Sequence, residues 1–299
     1  MEFKKINYIE RKTGEIFTEK VPGEKYLKFL YYNPFGELPL NMVVKKKFLT
    51  EKYGRLMDKP ESVKKIPDFI KEVGINISEA KKDVSEFTSF NDFFYRELKP
   101  GVRTIDTDDN VIVSPADGKI LVLENIKNDK KFYVKGDQFT LDEFFQDKNL
   151  AKKYEDGIFV IIRLAPVDYH RFHFPTDGII GDSHLINGDY YSVSTHAIRR
   201  NFRIFCENKR EYSILKTQKF GDIVMIEVGA TMVGGIKQTY KPNSFVKKGQ
   251  EKGYFYFGGS TCILVFEKGK VKLDKDLIEN TKKGIETKVY MGEKIGVVG

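Results

Sequence analysis

The chain has 299 residues, of which 40% are hydrophobic and 13% aromatic, so it can bury a large core and does not have the composition of a disordered protein. The formal net charge of +8 favours an anionic partner, such as nucleic acid, an acidic substrate or a membrane surface. The lysine clusters are scattered and lack the framework of an RNA- or DNA-binding motif, so we expect no nucleic-acid partner. A solvated, lysine-rich surface is the alternative explanation of the charge.

Neither the cysteines nor the apolar runs point to secretion or to a membrane span. Cys206 and Cys262 form no C-x-x-C pair and no metal-binding spacing, which excludes a disulfide scaffold and suits a reducing cytoplasm. Polar residues follow Lys5 where the apolar segment of a secretory signal would lie. Apolar runs such as residues 158–162 are far shorter than the roughly 20 residues of a bilayer span. Any membrane contact is therefore expected to be peripheral.

The N-terminal third is predicted to hold a hairpin and several helices. Residues 3–21 alternate around Gly14, which predicts a small hairpin. Residues 26–49 are aromatic and basic, which predicts helices that dock on a membrane surface or, as the alternative, pack on the main domain. Further helices are expected over residues 59–73, 77–83 and from Ser89 onward.

From about residue 105, glycine and proline turns are expected to separate β-strands, with one helix over residues 141–153. The turn in residues 115–118, Pro-Ala-Asp-Gly, is expected to use the fixed φ of proline and a positive φ at glycine. The same Pro-x-Asp-Gly pattern returns at residues 175–178, either as an internal repeat or as coincident turn chemistry. Strands are predicted over residues 111–123, 157–164 and 223–236, and a short strand with a polar tail after residue 274.

A glycine pair near the C-terminal end suggests chemistry on the backbone itself. An aromatic strand over residues 253–257 is followed by Gly258 and Gly259, and Ser260 then starts a second apolar strand. Because Gly259 has no side chain to shield its carbonyl, Ser260 is a candidate to attack its own chain. A β-bulge or a tight turn is the structural alternative.

All four histidines cluster in one short part of the chain, which points to a site. His170 and His173 would share a face in a helical turn, whereas in a strand they would point to opposite faces. A zinc site lacks a third ligand at a familiar spacing, so no metal is expected. Nucleophilic catalysis needs a serine, an imidazole and a carboxylate. Ser260, a histidine and either Asp117 or Asp177 could supply these groups.

Five stretches of the sequence, in order, resemble the signature stretches of the phosphatidylserine decarboxylases: residues 93–103, 114–118, 168–175, 228–234 and 248–261. The resemblance extends from about residue 90 to residue 273, and several motifs in the correct order are far more specific than one. The family's cleavage motif is usually Leu-Gly-Ser-Thr. This chain has Gly258 in place of the leucine and keeps the Gly259-Ser260 pair.

The resemblance implies a proenzyme that cuts its own chain. In this family the serine hydroxyl attacks the preceding glycine carbonyl, and elimination then leaves a pyruvoyl group on the new N-terminus. The corresponding bond here is Gly259–Ser260. Its cleavage would give a large subunit of residues 1–259 and a small subunit of residues 260–299.

The resemblance also implies roles for individual residues. The self-cleavage triad of the family corresponds to Asp117, His173 and Ser260. The pyruvoyl carbonyl is the electron sink when phosphatidylserine loses carbon dioxide, and His170 is identified as the acid that reprotonates the substrate carbon. His196 lies near a position where some members carry a substrate-contacting histidine.

The predicted fold is α+β, with N-terminal helices packed beside a twisted antiparallel β-sandwich that the resemblance relates to lipoyl and biotinyl hybrid folds. We expect residues 1–104 to form a hairpin and a helical membrane-associating region, and residues 105–299 to form the catalytic domain. The protein is expected at the cytoplasmic face of the membrane, on an anionic surface. The oligomeric state stays open, and a homodimer is one option.

Two other functions use the same residues. A Ser/His/Asp hydrolase could act on a lipid ester, although the chain has no G-x-S-x-G elbow. A non-catalytic, peripheral membrane-binding module with a degenerate site is the alternative from a different class. The intact Gly259-Ser260 pair, His173 and Asp117 argue against such degeneracy.

Overall fold

A computed structural model describes residues 5–21, 29, 54–124, 139–230, 235–257 and 260–299. Three sequence predictions fall wholly or largely outside the described residues. They concern the helices over residues 26–49, of which only Phe29 is described, the family stretch at residues 231–234, and the Gly258-Gly259 pair.

The described chain contains a few short helices and large sheets whose strands pair mainly antiparallel, so the predicted α+β class is confirmed. The strands are β1 (Asn7–Glu10), β2 (Ile16–Thr18), β3 (Val111–Val113), β4 (Gly118–Leu123), β5 (Ile158–Leu164), β6 (Arg171–His173), β7 (Gly178–Ile180), β8 (His184–Ile186), β9 (Arg210–Lys216), β10 (Asp222–Val228), β11 (Ile236–Gln238), β12 (Ser244–Val246), β13 (Glu251–Phe255), β14 (Ser260–Phe266), β15 (Val271–Leu273), β16 (Glu286–Val289) and β17 (Lys294–Val298). The α-helices are α1 (Ile66–Val73), α2 (Phe90–Phe94), α3 (Leu141–Phe145), α4 (Lys148–Lys153), α5 (Thr195–Arg200), α6 (Ile204–Glu207) and α7 (Lys275–Lys282). Short 3-10 helices are formed by Pro60–Lys65, Ile77–Glu79 and Val84–Glu86.

The helices are shorter than the sequence predicts. The helix expected over residues 141–153 is divided into α3 and α4, because Gln146 adopts a left-handed conformation with a φ of 52° and ends α3. The segment at residues 77–83 holds only the 3-10 helix Ile77–Glu79. In the described part of the chain, no helix has the length and apolar character needed to cross a bilayer.

The largest sheet has the strand order β12-β7-β9-β10-β14-β5-β4-β16-β1-β2, with β8 paired to β9. Its pairs are antiparallel except for β1 with β16. The central strands are apolar along most of their length because both of their faces are covered. Ile162 and Leu264 face one core, whereas Ile161 and Ile263 face a second one. A third apolar cluster joins α1 and α2 to Phe257.

Two sets of four strands have the same internal arrangement. We call β3, β4, β16 and β17 the first β unit, and β6, β7, β12 and β13 the second β unit. In each unit one pair lies in the largest sheet and the other pair lies in a separate three-stranded sheet. The pairing in the smaller sheet slips once in each unit, between Lys294 and Gly296 in the first and between Glu251 and Gly253 in the second.

The two β units exchange backbone hydrogen bonds at their Pro-x-Asp-Gly turns. The Val113 N–H of the first unit donates to the Pro175 carbonyl at 3.1 Å, and the His173 N–H of the second unit donates to the Pro115 carbonyl at 2.8 Å. The repeated sequence pattern therefore marks a structural repeat and is not coincident turn chemistry. A relation to lipoyl and biotinyl folds stays a prediction.

Glycine is needed in the first of these turns for a reason that the sequence prediction missed. Gly118 does not adopt a positive φ, so that part of the prediction is wrong. A Cβ atom at Gly118 would lie 2.7 Å from Ile162 Cγ2 and 2.8 Å from the Arg163 carbonyl oxygen. The close approach of β5 is therefore what requires glycine here.

The C-terminal segment is more ordered than its polarity predicts. The expected short strand with a polar tail is wrong, because residues 275–298 contain α7, β16 and β17. The polar side chains of β16 are buried in ion pairs: Glu286 pairs with Arg163, and Lys288 pairs with Asp168. As a result, residues 260–299 supply two interior strands of the largest sheet, β14 between β10 and β5 and β16 between β4 and β1.

Candidate active site

The predicted site residues converge on one edge of the largest sheet. Ser260 is the first residue of β14 and lies opposite Leu164, the last residue of β5. The antiparallel pairing of β4 with β5 brings the start of β4 to the same edge, and Asp117 directly precedes that start. The loop of residues 165–170 continues from β5. The register alone therefore brings the serine, the aspartate and the first histidine of the pair together.

The Ser260 side chain is fully buried, and its hydroxyl has no hydrogen-bond partner among the described residues. The hydroxyl of the next residue, Thr261, is in the same condition. Leaving a buried hydroxyl unbonded costs about 1–3 kcal/mol, so native proteins rarely do so without a functional reason. A nucleophile that must reach a backbone carbonyl is one such reason.

His173 is held as a neutral imidazole. It is the last residue of β6 and is 6% exposed, and its Nδ1 has no hydrogen-bond partner within the described part of the chain. Burial lowers the pKa of His173 to about 4, although the charges of Glu251 and Asp117 partly oppose this shift. At neutral pH the ring is therefore able to accept a proton.

The Asp117 carboxylate is held by an arginine. Arg103 Nε and Nη2 donate to the two carboxylate oxygens at 3.0 and 2.6 Å, and the Met291 N–H donates to Oδ1 at 2.8 Å. Among the contacts of the described residues, Asp117 makes no direct hydrogen bond to His173. The aspartate acts on His173 through its charge, which raises the pKa of the imidazole against the effect of burial.

His170 lies directly before β6, in a pocket made by its own loop and by α2. The fully buried ring packs against Phe94, with 3.9 Å between ring centres. Its Nδ1 lies 2.9 Å from the Asp168 carbonyl oxygen. Because a carbonyl can only accept, Nδ1 carries the hydrogen, and Nε2 is the nitrogen that can take up and release a proton. The strand conformation of β6 also settles the open question on this pair: the two histidines do not share a helical face.

A buried ion pair stabilises the loop that carries His170. The Asp168 carboxylate accepts from Lys288 Nζ of β16 and, at 2.7 Å, from the Ala165 N–H. Burial by itself would raise the pKa of Asp168, but the charges of Lys288 and Lys119 lower it by more. The net pKa lies below the ordinary value, so the carboxylate stays ionised.

The remaining sequence candidates lie in different surroundings. Asp177 is exposed, and its Oδ1 accepts the Lys248 N–H at 2.6 Å. His184 is exposed and stacks on Tyr212. His196 is fully buried in α5, a helix that contributes to the second core, and its contact with substrate stays a prediction. Across the residues that the structure describes, no group of three or more His, Cys, Asp or Glu side chains could hold a metal ion.

Sequence reasoning did not assign roles to Arg96, Arg103, Lys288 or Met291. The first two lie within a stretch that carries the family resemblance, and that was the available signal. Lys288 and Met291 lie in the segment that was expected to be a polar tail, and only the fold brings them to the site.

Comparisons with known proteins identify the family of the chain. A family model described as phosphatidylserine decarboxylase matches residues 90–297. A phosphatidylserine decarboxylase proenzyme of Fusobacterium nucleatum is 70% identical over 296 residues, which cover 99% of each chain. A proenzyme of the same name from Clostridium novyi is 50% identical, over 97% of this chain and 99% of the relative. Another from Desulfitobacterium hafniense is 49% identical, over 98% of each chain. The chain belongs to the phosphatidylserine decarboxylase family. The family match begins at the first residue of α2 and extends past residue 273 into β17, so it includes both Lys288 and Met291.

Proposed function

We propose that this protein cuts its own chain between Gly259 and Ser260, converts Ser260 to a pyruvoyl group, and then decarboxylates phosphatidylserine to phosphatidylethanolamine. The observation that carries the proposal is the buried Ser260 hydroxyl at the first position of β14, which has no hydrogen-bond partner among the described residues. Its support is the 70% identity, over 99% of the chain, to a protein named as the proenzyme of this activity.

Self-cleavage begins when Ser260 Oγ attacks the carbonyl carbon of Gly259. An ester bond forms, the peptide C–N bond breaks, and His173 transfers the hydroxyl proton to the leaving nitrogen. A pKa of about 4 keeps the imidazole of His173 ready to accept that proton. The negative charge of Asp117 then stabilises the transient imidazolium, as the third member of a catalytic triad does. Elimination then breaks the bond between Cβ of residue 260 and the ester oxygen and releases the Gly259 carboxylate. One water adds its oxygen at Cα of residue 260 as the nitrogen leaves as ammonia, which gives the pyruvoyl carbonyl.

The first position of β14 also suits a pyruvoyl group. Residue 260 would hold the group covalently, in a fully buried position that excludes water and is fixed by pairing with β5. Once in place, the carbonyl supplies a sink for the electron pair that remains when carbon dioxide leaves.

His170 is the acid in this proposal. Its Nδ1–H is committed to the Asp168 carbonyl, so the proton for the decarboxylated substrate carbon comes from Nε2. Packing against Phe94 fixes the plane of the ring. The ion pair of Asp168 with Lys288 holds the loop, which keeps Nε2 in one place.

A lipid substrate is supported by the apolar surroundings of Phe257, the last described residue before Ser260. A cavity of about 240 Å³ lies between α1, α2 and Phe257. Its apolar lining comes from Met57, Phe69, Phe90 and Phe257, and its charged lining comes from Lys65, Asp68 and Glu72. We propose that this cavity receives an apolar part of the lipid. The protein would work at the cytoplasmic face of the membrane, where its net charge of +8 favours anionic headgroups.

Intact-mass measurement of the purified protein tests the central proposal. The wild type should give two fragments that meet between residues 259 and 260, and the smaller one should resist Edman degradation because its first residue has no free amine. Ser260→Ala should remain one chain with no decarboxylase activity. A wild-type protein that stays uncut, or a Ser260→Ala protein that is cut at the same bond, would contradict the proposal.

The membrane proposal has a separate test. Deleting residues 26–49 should weaken flotation with vesicles that contain phosphatidylserine, while self-cleavage continues. Unchanged flotation would reject these residues as the docking segment.

A further inference from the structure

Arg96 is a buried cation that the proposed chemistry leaves unused. It lies just after α2 and is 5% exposed. Its Nε and Nη1 have no hydrogen-bond partner among the described residues, and Nη2 makes one long contact of 3.4 Å to the Val167 carbonyl. Burial lowers the pKa of Arg96, but a guanidinium remains protonated in proteins, so the charge is present.

The guanidinium lies at the reactive edge of the sheet. Val167 belongs to the loop that joins β5 to His170. Phe94, two residues before Arg96, packs directly against the His170 ring. Arg96 and Phe94, which belong to one segment of chain, therefore contact the same short loop, and that loop ends at the proposed acid His170.

The carboxylates that influence Arg96 are bonded to other cations. Asp117 and Glu79 both pair with Arg103, at 2.6 and 3.1 Å. Asp168 pairs with Lys288. The contacts of the Arg96 guanidinium among the described residues are the long hydrogen bond to Val167 and the Phe93 ring, whose centre lies 5.5 Å from Cζ. Burying a charge with so few polar partners is unfavourable, and an anion that bonded to the remaining nitrogens would relieve that cost.

We propose that Arg96 binds the phosphodiester of the substrate headgroup. This inference rests on the proposed function, which places a serine phospholipid at this edge of the sheet. Guanidinium groups match phosphate oxygens in both charge and geometry. Two nitrogens of Arg96 are available to donate, and no protein acceptor competes for them within the described residues.

The chemistry of decarboxylation favours the phosphodiester over the serine carboxylate. The carboxylate loses its charge as carbon dioxide leaves, so a cation bound to it would stabilise the ground state more than the transition state and slow the reaction. The phosphodiester keeps its charge throughout. Binding it positions the headgroup without opposing the bond that must break.

Kinetics and ligand binding on four full-length, self-processed proteins test the inference: the wild type, Arg96→Met, Arg96→Lys and the control Arg203→Met. Arg203 pairs with Glu143 and Glu207 on the surface, and its replacement by methionine removes the same charge as Arg96→Met does. With phosphatidylserine in mixed micelles, Arg96→Met should raise KM by about ten- to hundredfold, the effect of losing charged hydrogen bonds, with a much smaller change in kcat. Arg203→Met should match the wild type.

Two soluble probes distinguish the phosphate from the carboxylate. Glycerophosphoglycerol carries a phosphodiester with no amine or carboxylate, and N-acetylserine carries a carboxylate with no phosphate. By calorimetry, Arg96→Met should weaken glycerophosphoglycerol binding about ten- to hundredfold and leave N-acetylserine binding unchanged. Arg96→Lys, which keeps the charge and loses the planar fork, should show a smaller loss.

Several outcomes would overturn the inference. Equal glycerophosphoglycerol binding by all four proteins, or no binding by the wild type, would remove the phosphodiester site. Weakened binding of N-acetylserine alone would assign Arg96 to the carboxylate. A folded Arg96→Met protein that stays uncut would assign Arg96 to self-cleavage, and Arg96→Lys decides the question if the methionine variant does not fold. A wild type that is neither cut nor active rejects the proposed function itself, whereas an active wild type with an equally active Arg96→Met rejects only this inference.

Discussion

The two β units place the same turn in two different surroundings. In both turns the aspartate Oδ1 accepts a backbone N–H from the loop that joins the last two strands of the same unit. Met291 donates to Asp117, and Lys248 donates to Asp177. Asp117 is 2% exposed and bonds to Arg103 as well, whereas Asp177 is exposed. The shared bond belongs to the turn. The ion pair and the burial are what distinguish a candidate for catalysis from a structural residue.

The comparison extends to the histidines. His173 in the second unit occupies the position that Val113 occupies in the first, and His170 occupies the position of Asn110. The proposed site therefore takes its carboxylate from one unit and its imidazoles from the other. They meet where the turns exchange backbone hydrogen bonds, so neither copy of the repeat contains the site alone.

The largest expected difference between the units is in self-cleavage. Asp117→Asn should slow self-cleavage by about a hundredfold or more, since the variant loses the negative charge that stabilises the imidazolium of His173. Asp177→Asn should cleave like the wild type. The fraction of cut chain, followed by gel and mass spectrometry after expression, measures both. Equal cleavage by the two variants would remove the functional distinction between the aspartates.

The histidine position should separate turnover from cleavage. His170→Gln should be cut normally but lose about a hundredfold or more in kcat, because the acid for the substrate carbon is missing. Asn110→Gln, at the matching position of the first unit, should keep both activities. Release of carbon dioxide from carboxyl-labelled phosphatidylserine is the assay. An uncut His170→Gln protein would show that His170, and not only His173, serves the cleavage step.

Buried His173 should make stability depend on pH in a way that Val113 cannot. With a pKa of about 4 in the folded chain and 6.5 as its ordinary value, His173 binds its proton more readily when the chain is unfolded. The free energy of unfolding should therefore fall as pH drops from about 6.5 to about 4, by up to about 3 kcal/mol. Urea titrations of Ser260→Ala and of Ser260→Ala with His173→Gln compare two uncut chains. Parallel pH profiles would contradict the assignment of a neutral, buried imidazole.

The smallest expected effect concerns the glycines at the two slips in strand pairing. A Cβ at Gly253 would lie 2.1 Å from the Lys237 carbonyl oxygen, and one at Gly296 would lie 2.7 Å from the Lys272 carbonyl oxygen. Each alanine variant should lose about 1–3 kcal/mol by overpacking, with the larger loss at Gly253. Only Gly253→Ala should also slow self-cleavage, because β13 leads to the scissile bond. Thermal unfolding and cleavage time courses measure the two effects, and slower cleavage in Gly296→Ala alone would reverse this expectation.

Patterns of apolar residues predicted much of the central sheet. Residues 158–162 of β5 and residues 262–266 of β14 are continuous apolar runs, and both strands are interior strands with covered faces. The same reasoning failed for β16, whose polar side chains are buried in ion pairs with residues more than 100 positions away. Periodicity carries no information about such distant partners.

The candidate site was predictable where chemistry is local to the sequence. Ser260 follows a glycine pair, and the histidines are clustered, so both could be recognised in the chain. The choice of Asp117 over Asp177 required the family resemblance, because the two turns are alike and the difference comes from Arg103. For the proposed role of Arg96, the only signal in the sequence was its place in a family stretch, since the two nitrogens that lack a partner among the described residues are recognised only when the neighbours of Arg96 are in place.

The position of the segment that holds β16 and β17 has a consequence for the order of events in a cell. The N–H that Asp117 accepts comes from Met291, and the cation that holds Asp168 comes from Lys288, so residues near the end of the chain complete the reactive edge. A ribosome makes these residues after the other residues of the reactive edge. A chain in which β16 and β17 have not yet been made, or from which they are deleted, lacks half of the first β unit and, under the proposed mechanism, cannot cut itself. After the cut, the small fragment cannot leave without removing β14 and β16 from the interior of a sheet. Self-cleavage is therefore open only to molecules in which these strands are already in place.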